Sequence, residues 1–588
     1  AYAAGFLSQG YYYAWLGAVI IVLAGFCLAE LSRRHFVAAG LVRASVPAAF
    51  PAIAFFLIYS RYRHPLTVCL TVSLGLLLSL TFERLPLRRS LARVPVCCLM
   101  VVVAFWLGGT GTLLVFALMT AVYGVLARRS GRVCTVDQQP PGPMRDGVRC
   151  AAYQLLALPA GVAIVWILAE NMFLLPARQA FLILTPFAPS ATAGMDPFLK
   201  TLTFLLYGFM PLTVLLVFVG TGVLGRRRHQ RAAHPKKTGR KGKHAPIQRK
   251  RPSTAVFTKV GLSAVPIVLM ALGLYFSHDE LRKSYVVSNY YWCQKRWDRI
   301  LELSRRLPKN KNNIYVNHDI IRALYHTGRL PYDMFRHPQD PQAILLTHEK
   351  TESDLTQLKL SDLFLELGHV NMAQKLASEL LTTKDHLGIA LEELGWINII
   401  KGHPRTARVY LEALKRDPLY RGKAQSLLSG LDSGFTQEQA AYIDRIRSRV
   451  RDETAGVTGA EPVDETLAAL LEHNPRNRMA FEYLMACYLL TGRVDKIAEN
   501  MGRLSSLGYQ KVPTLYQEAI AIHYASERQP VDLSALGISV ETVQRYETFV
   551  RLASTMQAQN RQAVFNRLIR DFGTSYFFYY AFGRVGLA

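Results

Sequence analysis

Hydrophobic and polar positions divide the chain near residue 276. Before that point long apolar runs alternate with short basic stretches; after it apolar residues recur every three or four positions, the period of amphipathic helices. A helix needs about 20 mostly apolar residues to cross a hydrocarbon core ~30 Å thick, because lipid offers no partner to an open backbone. Eight segments fit, near residues 11–31, 45–60, 65–82, 94–109, 110–127, 150–170, 201–225 and 255–276. Only the Gly-Gly-Thr-Gly-Thr run at 108–112 separates the fourth from the fifth, which predicts a tight hairpin. The expected fold class is all-α: a polytopic transmembrane helical bundle followed by an α-helical, TPR-like repeat domain.

Charge orients this arrangement. Residues 1–276 hold 29 Lys or Arg and 6 acids, and residues 277–588 hold 40 and 36, so the apolar part carries +23 and the remainder +4. Loops 32–44, 83–93, 127–149 and 226–252 contain 3, 4, 5 and 12 Lys or Arg, whereas 61–64, 108–112 and 171–199 contain 2, 0 and 1. Basic loops face the cytoplasm, which places residues 1–10 and everything after 276 outside, so that the C-terminal domain is expected to be periplasmic or otherwise extracytoplasmic. Tyr11, Tyr12, Tyr13 and Trp15, with Tyr275 and Phe276, suit the aromatic belts at the bilayer surface. The chain opens on Ala1 with neither a positive n-region nor a cleavage site, so it does not read as a signal peptide, and a further upstream segment is expected.

Candidate chemistry in the membrane part is sparse. The basic run from Arg226 to Arg251 lacks interleaved aromatics for base stacking and is read as a topology loop with lipid-headgroup contact, not a nucleic-acid site. Gly220 to Gly225 matches a dinucleotide fingerprint by letters but sits where a membrane helix ends, and Gly242-Lys243 is followed by His244 rather than the Ser or Thr of a phosphate loop. Glu30 and Lys259 lie close enough to helix ends to reach the interface. Glu170, Arg178 and Asp196 are the weak catalytic candidates, since Glu170 and Asp196 flank the short apolar run Met172 to Leu184, which holds Pro176 and Arg178, and the three could line one outward cavity; an interfacial helix with solvated charges is the simpler reading. Pro159, Pro211 and Pro266 interrupt the last three spans, where kinks are expected. Cys293 and Cys487 have no metal-ligand spacing; two unpaired buried thiols are favoured over a disulfide. No cofactor or metal is expected.

The part after 276 reads as helical hairpins. Gly368 and Gly402 stand 34 residues apart, the TPR period, and Leu394, Gly395, Gly402, Ala407, Ala413 and Pro418 outline one degenerate unit. Phe481, Leu484, Tyr488 and Gly492 repeat the first-helix pattern, as do Leu360 and Phe364; Tyr291, Trp297 and Pro308 outline another unit. The expected organisation is a transmembrane domain 1–276, a first repeat block 277–451, a polar linker 452–463, and a second block 464–588. The aromatic tail Tyr576 to Phe582 then either caps the last repeat or touches the bilayer, the cap being preferred.

Phe6-Leu7-Ser8-Gln9 leading to Tyr12 through Gly17, Trp297-Asp298-Arg299-Ile300-Leu301, the Asn317 to Phe335 stretch with Gly328-Arg329-Leu330, and Tyr576 to Tyr580 together resemble an uncharacterised bacterial membrane family, a domain of unknown function with many spans and a degenerate TPR-like region. The resemblance implies one more hydrophobic segment upstream and carries over no active-site residues. The leading expectation is a non-enzymatic envelope scaffold offering a repeat surface to a protein partner. The alternative is a polytopic glycosyl transferase using Glu170 or Asp196 on a lipid-linked sugar, and a transporter comes third.

Overall fold

A computed structural model describes residues 2–39, 41, 45–61, 66–85, 92–130, 144–172, 181, 185, 197–232, 268–276, 279–307, 313–346, 354–381, 387–450, 462–527, 536–555 and 561–583. Among these residues every regular element is a helix. The chain separates into two compact units, residues 1–279 and 280–588.

The first unit is built on α1 (Ala14–Ala38), α2 (Ser45–Ser60), α3 (Leu66–Arg84), α4 (Arg93–Ser130), α5 (Met144–Met172) and α6 (Pro197–Ala232). Within α1, α3, α4 and α6 lie four stretches long and apolar enough to cross a membrane, and Val46–Ser60 and Leu156–Asn171 are shorter apolar helices. The expected eighth segment, 255–276, is described only over 268–276, and Lys259 and Pro266 fall outside the described residues. Helix α1 runs further than expected, through Arg33 and Arg34, because both guanidinium groups pair with Glu30 one turn earlier, at 2.7 and 2.9 Å. Its Trp15, Val19, Val22, Leu23 and Phe26 are exposed, an apolar face that water would penalise and lipid would not.

Helix α4 contains a reversal at Gly109, whose φ of 69° and ψ of −169° are not helical. Arg93 lies 3.8 Å from Glu83, and a methyl on Gly108 would sit 3.2 Å from Leu74, so the first arm runs back along α3. The Thr112 hydroxyl then donates to the Thr71 carbonyl at 3.1 Å, and a Cβ on Gly75 would meet Val115 at 2.8 Å, so the second arm runs forward beside the same helix. The expected pair of segments meeting at 108–112 is thus one helical stretch folded on itself, with glycines where backbones approach most closely. Helices α5 and α6 pass through Pro159 and Pro211 without interruption.

In the second unit the first helices of successive pairs begin at Glu280, Ile314, Asp354, Leu387 and Arg421, close to a 34-residue spacing except where residues 330–346 lengthen one interval. We label them α7 (Glu280–Cys293), α8 (Ile314–His326), α9 (Asp354–Leu367), α10 (Leu387–Ile400) and α11 (Arg421–Ser433), followed by α12 (Gln437–Arg447). Gly328, Gly368, Gly402 and Gly492 end helices with φ between 68° and 87°, conformations that satisfy the last carbonyls and that side chains resist. Asn313, Thr436, Asn477 and Ser575 cap the starts of their helices through side-chain oxygens. One hydrophobic core runs from Trp292 to Phe578. Tyr576, Phe577 and Phe578 are buried in it, and the Tyr576 backbone N–H donates to the Glu518 carboxylate at 2.6 Å. Of the expected linker, residues 452–461 lie outside the described residues, and a helix begins at Val463.

Backbone reversal at glycine is open to test. Gly109→Ala forces a side chain into a region reserved for glycine and should cost about 1–3 kcal/mol, read as a lower thermal midpoint of the full chain in detergent. Gly368→Ala should behave likewise in the second unit, since its Cβ would stand 2.1 Å from the Arg449 carbonyl oxygen; unchanged midpoints would refute the argument.

Candidate functional site

Helices α8 and α9 each place charged residues at spacings of three and four, which puts them on one face. On α8 these are Asp319, Arg322 and His326; on α9 they are Lys359, Asp362 and Glu366. The faces meet as a ladder. Lys359 Nζ donates to both Asp319 oxygens at 2.6 Å, Arg322 donates to Asp362 and Glu366 at 2.9 Å each, and His326 Nε2 lies 2.9 Å from Glu366. Partners on successive rungs are 40 residues apart, so the helices run parallel, like equivalent members of neighbouring repeats. Asp319, Arg322 and Lys359 are inaccessible to solvent.

Helix α7 closes the ladder from the other side. Ser288 Oγ donates to Asp319 at 2.5 Å, Trp292 Nε1 donates to Asp362 at 3.1 Å, and Lys295 forms an ion pair with Asp362. Lys359 lies 5.2 Å from the Trp292 ring centre and Arg322 5.5 Å from that of Trp297, positions in which the ring faces stabilise the cations. Burial disfavours the charged forms of Asp362 and Glu366, yet Lys295 and Arg322 around the first, and Arg322 and His326 around the second, hold both carboxyls below their ordinary values. Burial also pulls Lys359 down, with Asp319 opposing it.

Asp362 of this ladder also lines a groove of about 920 Å³. Helices α7, α9, α10, α11 and α12 all contribute to its wall: Trp292, Asp362, Glu392, Glu393, Trp396, Lys423, Tyr442 and Arg445 are among the lining residues. Glu393, half-buried, accepts from Ser361 Oγ at 3.3 Å. Burial first, and the Asp362 carboxylate second, push it up to about 8, so at neutral pH this carboxyl is largely protonated and can donate a hydrogen bond. Behind Arg445 a smaller cavity of about 290 Å³ is lined by His326, Glu366, Arg449, Arg478 and Glu482. Among the described residues no three His, Cys, Asp or Glu side chains stand close enough to hold a metal ion.

A family model covers residues 1–583 of the chain. The chain belongs to DUF6057, a family of unknown function. No curated protein and no solved structure matches it.

Of the DUF6057 chain's sequence candidates, Glu170 is exposed at the end of α5, where it accepts from Trp166 Nε1 at 3.0 Å, one turn away. Arg178 and Asp196 fall outside the described residues. Residues 220–225 lie inside α6, with no strand before them to make a nucleotide fold. Cys293 is exposed and Cys487 buried, both as free thiols. Sequence reasoning passed over the ladder and the groove. The legible signal was there: Asp319, Arg322 and His326 share the spacing of Lys359, Asp362 and Glu366 with opposite charge. Also missed was His35 on α1, buried with Nε2 3.0 Å from the Leu76 carbonyl and Nδ1 2.7 Å from the Tyr123 hydroxyl. A carbonyl only accepts, so Nε2 carries the hydrogen and Nδ1 of the neutral ring accepts from Tyr123.

Two measurements probe the site. Arg322→Ala strands Asp362 and Glu366 without their buried partner and should cost about 3–5 kcal/mol, read by urea titration of the full chain; a loss under about 1 kcal/mol would mean the pairs behave as if exposed. Because both carboxyls titrate below their ordinary values in the fold, their contribution is full above the unfolded values and fades as pH falls below them; in Arg322→Ala that acid limb should flatten. Glu393 works in the opposite sense. The folded chain holds its proton up to about 8 while the unfolded chain releases it near 4.5, so stability declines as pH rises between these values. Glu393→Gln should therefore raise the melting temperature relative to wild type at pH 8 and leave it nearly unchanged at pH 4; equal shifts at both would sink the assignment.

Proposed function

We propose that this chain is a membrane-anchored, TPR-like binding protein of the bacterial envelope, with residues 1–276 crossing the inner membrane about eight times and the repeat domain outside. It binds; it does not catalyse. The observation that carries this reading is the groove of about 920 Å³, walled by α7, α9, α10, α11 and α12 and reached by the ion ladder through Asp362. Stacked helical hairpins generate such concave surfaces, and rigid walls lower the ordering cost of holding a ligand. The helix starts near a 34-residue spacing support the TPR-like assignment. The exposed apolar face of α1 and the stretches long enough to span support the anchor, and the alternation of basic and neutral loops supports the orientation.

Thiol labelling tests the topology that the reading requires. In intact cells a membrane-impermeant maleimide should label Ser433→Cys, an exposed position on α11, above the native-cysteine background. Arg240→Cys, in the basic stretch, should react only after permeabilisation. The reverse pattern would place the groove in the cytoplasm and overturn the proposal.

A further inference from the structure

The groove's charges say what it does not bind. Three of its rings already face cations of the protein: Lys295 stands 5.6 Å from the Trp292 ring centre, Lys423 5.5 Å from Tyr420, and Arg445 5.4 Å from Tyr442. A cationic ligand would meet those three charges before it met a ring. An anionic ligand fares no better, because the carboxylates of Asp362, Glu392 and Glu438 line the same wall. Two of the cations are engaged: Lys423 holds both Glu392 oxygens at 3.0 Å, and Lys295 is paired with Asp362. Arg445 and Glu438 remain at the rim with opposite signs, which leaves the groove no net charge with which to select an ion.

What remains is a ring wall threaded with hydrogen-bonding groups. Trp396 is half-buried, carries no cation over its ring among the described residues, and meets Tyr442 edge-on at 5.1 Å. The carboxyl groups of Glu392 and Glu393 line the same groove, as do the Gln439 amide and the Ser426 hydroxyl to which that amide donates at 3.1 Å. Such a surface suits a molecule with an apolar C–H face on one side and many uncharged hydroxyls on the other. The volume lies near the top of the roughly 300–1,000 Å³ range of small-molecule sites, room for more than one sugar ring.

We infer that the groove binds a neutral oligosaccharide, a pyranose ring stacking on Trp396 while its hydroxyls bridge Glu392, Glu393 and Gln439. This rests on the binding-protein reading above and names its ligand class. A protonated Glu393 both donates and accepts toward hydroxyls, and its neutrality spares the wall a further negative charge beside Asp362 and Glu392. Hydroxyl recognition by buried polar groups is selective, because a ligand lacking the hydroxyl leaves those groups unpaired.

The test uses the full chain in lipid nanodiscs, free of glycoside detergents that would compete. Cellotriose, maltotriose, mannotriose and tri-N-acetylchitotriose are titrated by calorimetry beside tri-lysine, tri-glutamate and the neutral peptide acetyl-Gly-Asn-Gly-amide. At least one trisaccharide should bind saturably and the peptides should not. Trp396→Ala should weaken that binding about tenfold; Tyr420→Ala, at the rim, should weaken it less and guards against a Trp396 variant that fails to fold. Glu393→Gln keeps a neutral donor and acceptor and should stay within about twofold of wild type, and Val409→Ala, exposed on the helix Pro404–Leu414, should change nothing. Absence of binding by every trisaccharide, or binding indifferent to both aromatic substitutions, overturns the inference. Binding of a peptide in place of the sugars overturns it too but leaves the binding-protein reading standing, whereas inward labelling of Ser433→Cys defeats that reading whatever the titrations show.

Discussion

Everything in the second unit is arranged around the pairing of two parallel helix faces that should, by solvation alone, repel water-free burial. Taking five ionised groups out of water costs several kcal/mol each, and their mutual attraction returns this only with good geometry and full hydrogen bonding. The ladder has the geometry, with bidentate Lys359 on Asp319 and forked Arg322 between Asp362 and Glu366. Its gain is register. Sliding α8 one turn along α9 in one direction sets Asp319 against Asp362, and in the other sets Arg322 against Lys359. Apolar contacts alone would tolerate either slip at small cost, so charge decides how successive hairpins align, and with them the groove's wall.

The same ladder reaches function through Asp362. That carboxylate ends the buried network and begins the groove, where its charge is one reason Glu393 keeps its proton. A structural ion pair and a binding-site acidity are therefore one electrostatic system, in which Lys295, Arg322 and Asp362 set the field and Glu393 responds. Trp292 spans the two, donating to Asp362 while its ring forms part of the wall.

In the first unit the governing constraint is close approach: Gly75 and Gly161 admit neighbouring side chains where a Cβ would stand within 3 Å of Val115 and Val101. His35, buried there, is satisfied across helices by the Tyr123 hydroxyl and the Leu76 carbonyl.

Apolar run length and the change of period near residue 276 were enough, by themselves, to determine the helical class and the places where helices turn, because backbone satisfaction and glycine's freedom at Gly368, Gly402 and Gly492 act locally; of the eight segments expected to cross a membrane, four of the described helices are long and apolar enough. They could not reveal which charged residues would be buried. Asp319 and Lys359 look like solvated residues on paper, and Glu170 looked more promising than either; only the folded unit brings residues 40 positions apart within 2.6 Å and leaves Glu170 bonded to its own helix. Ion pairing and pocket shape depend on distances through space, and tertiary packing alone supplies them.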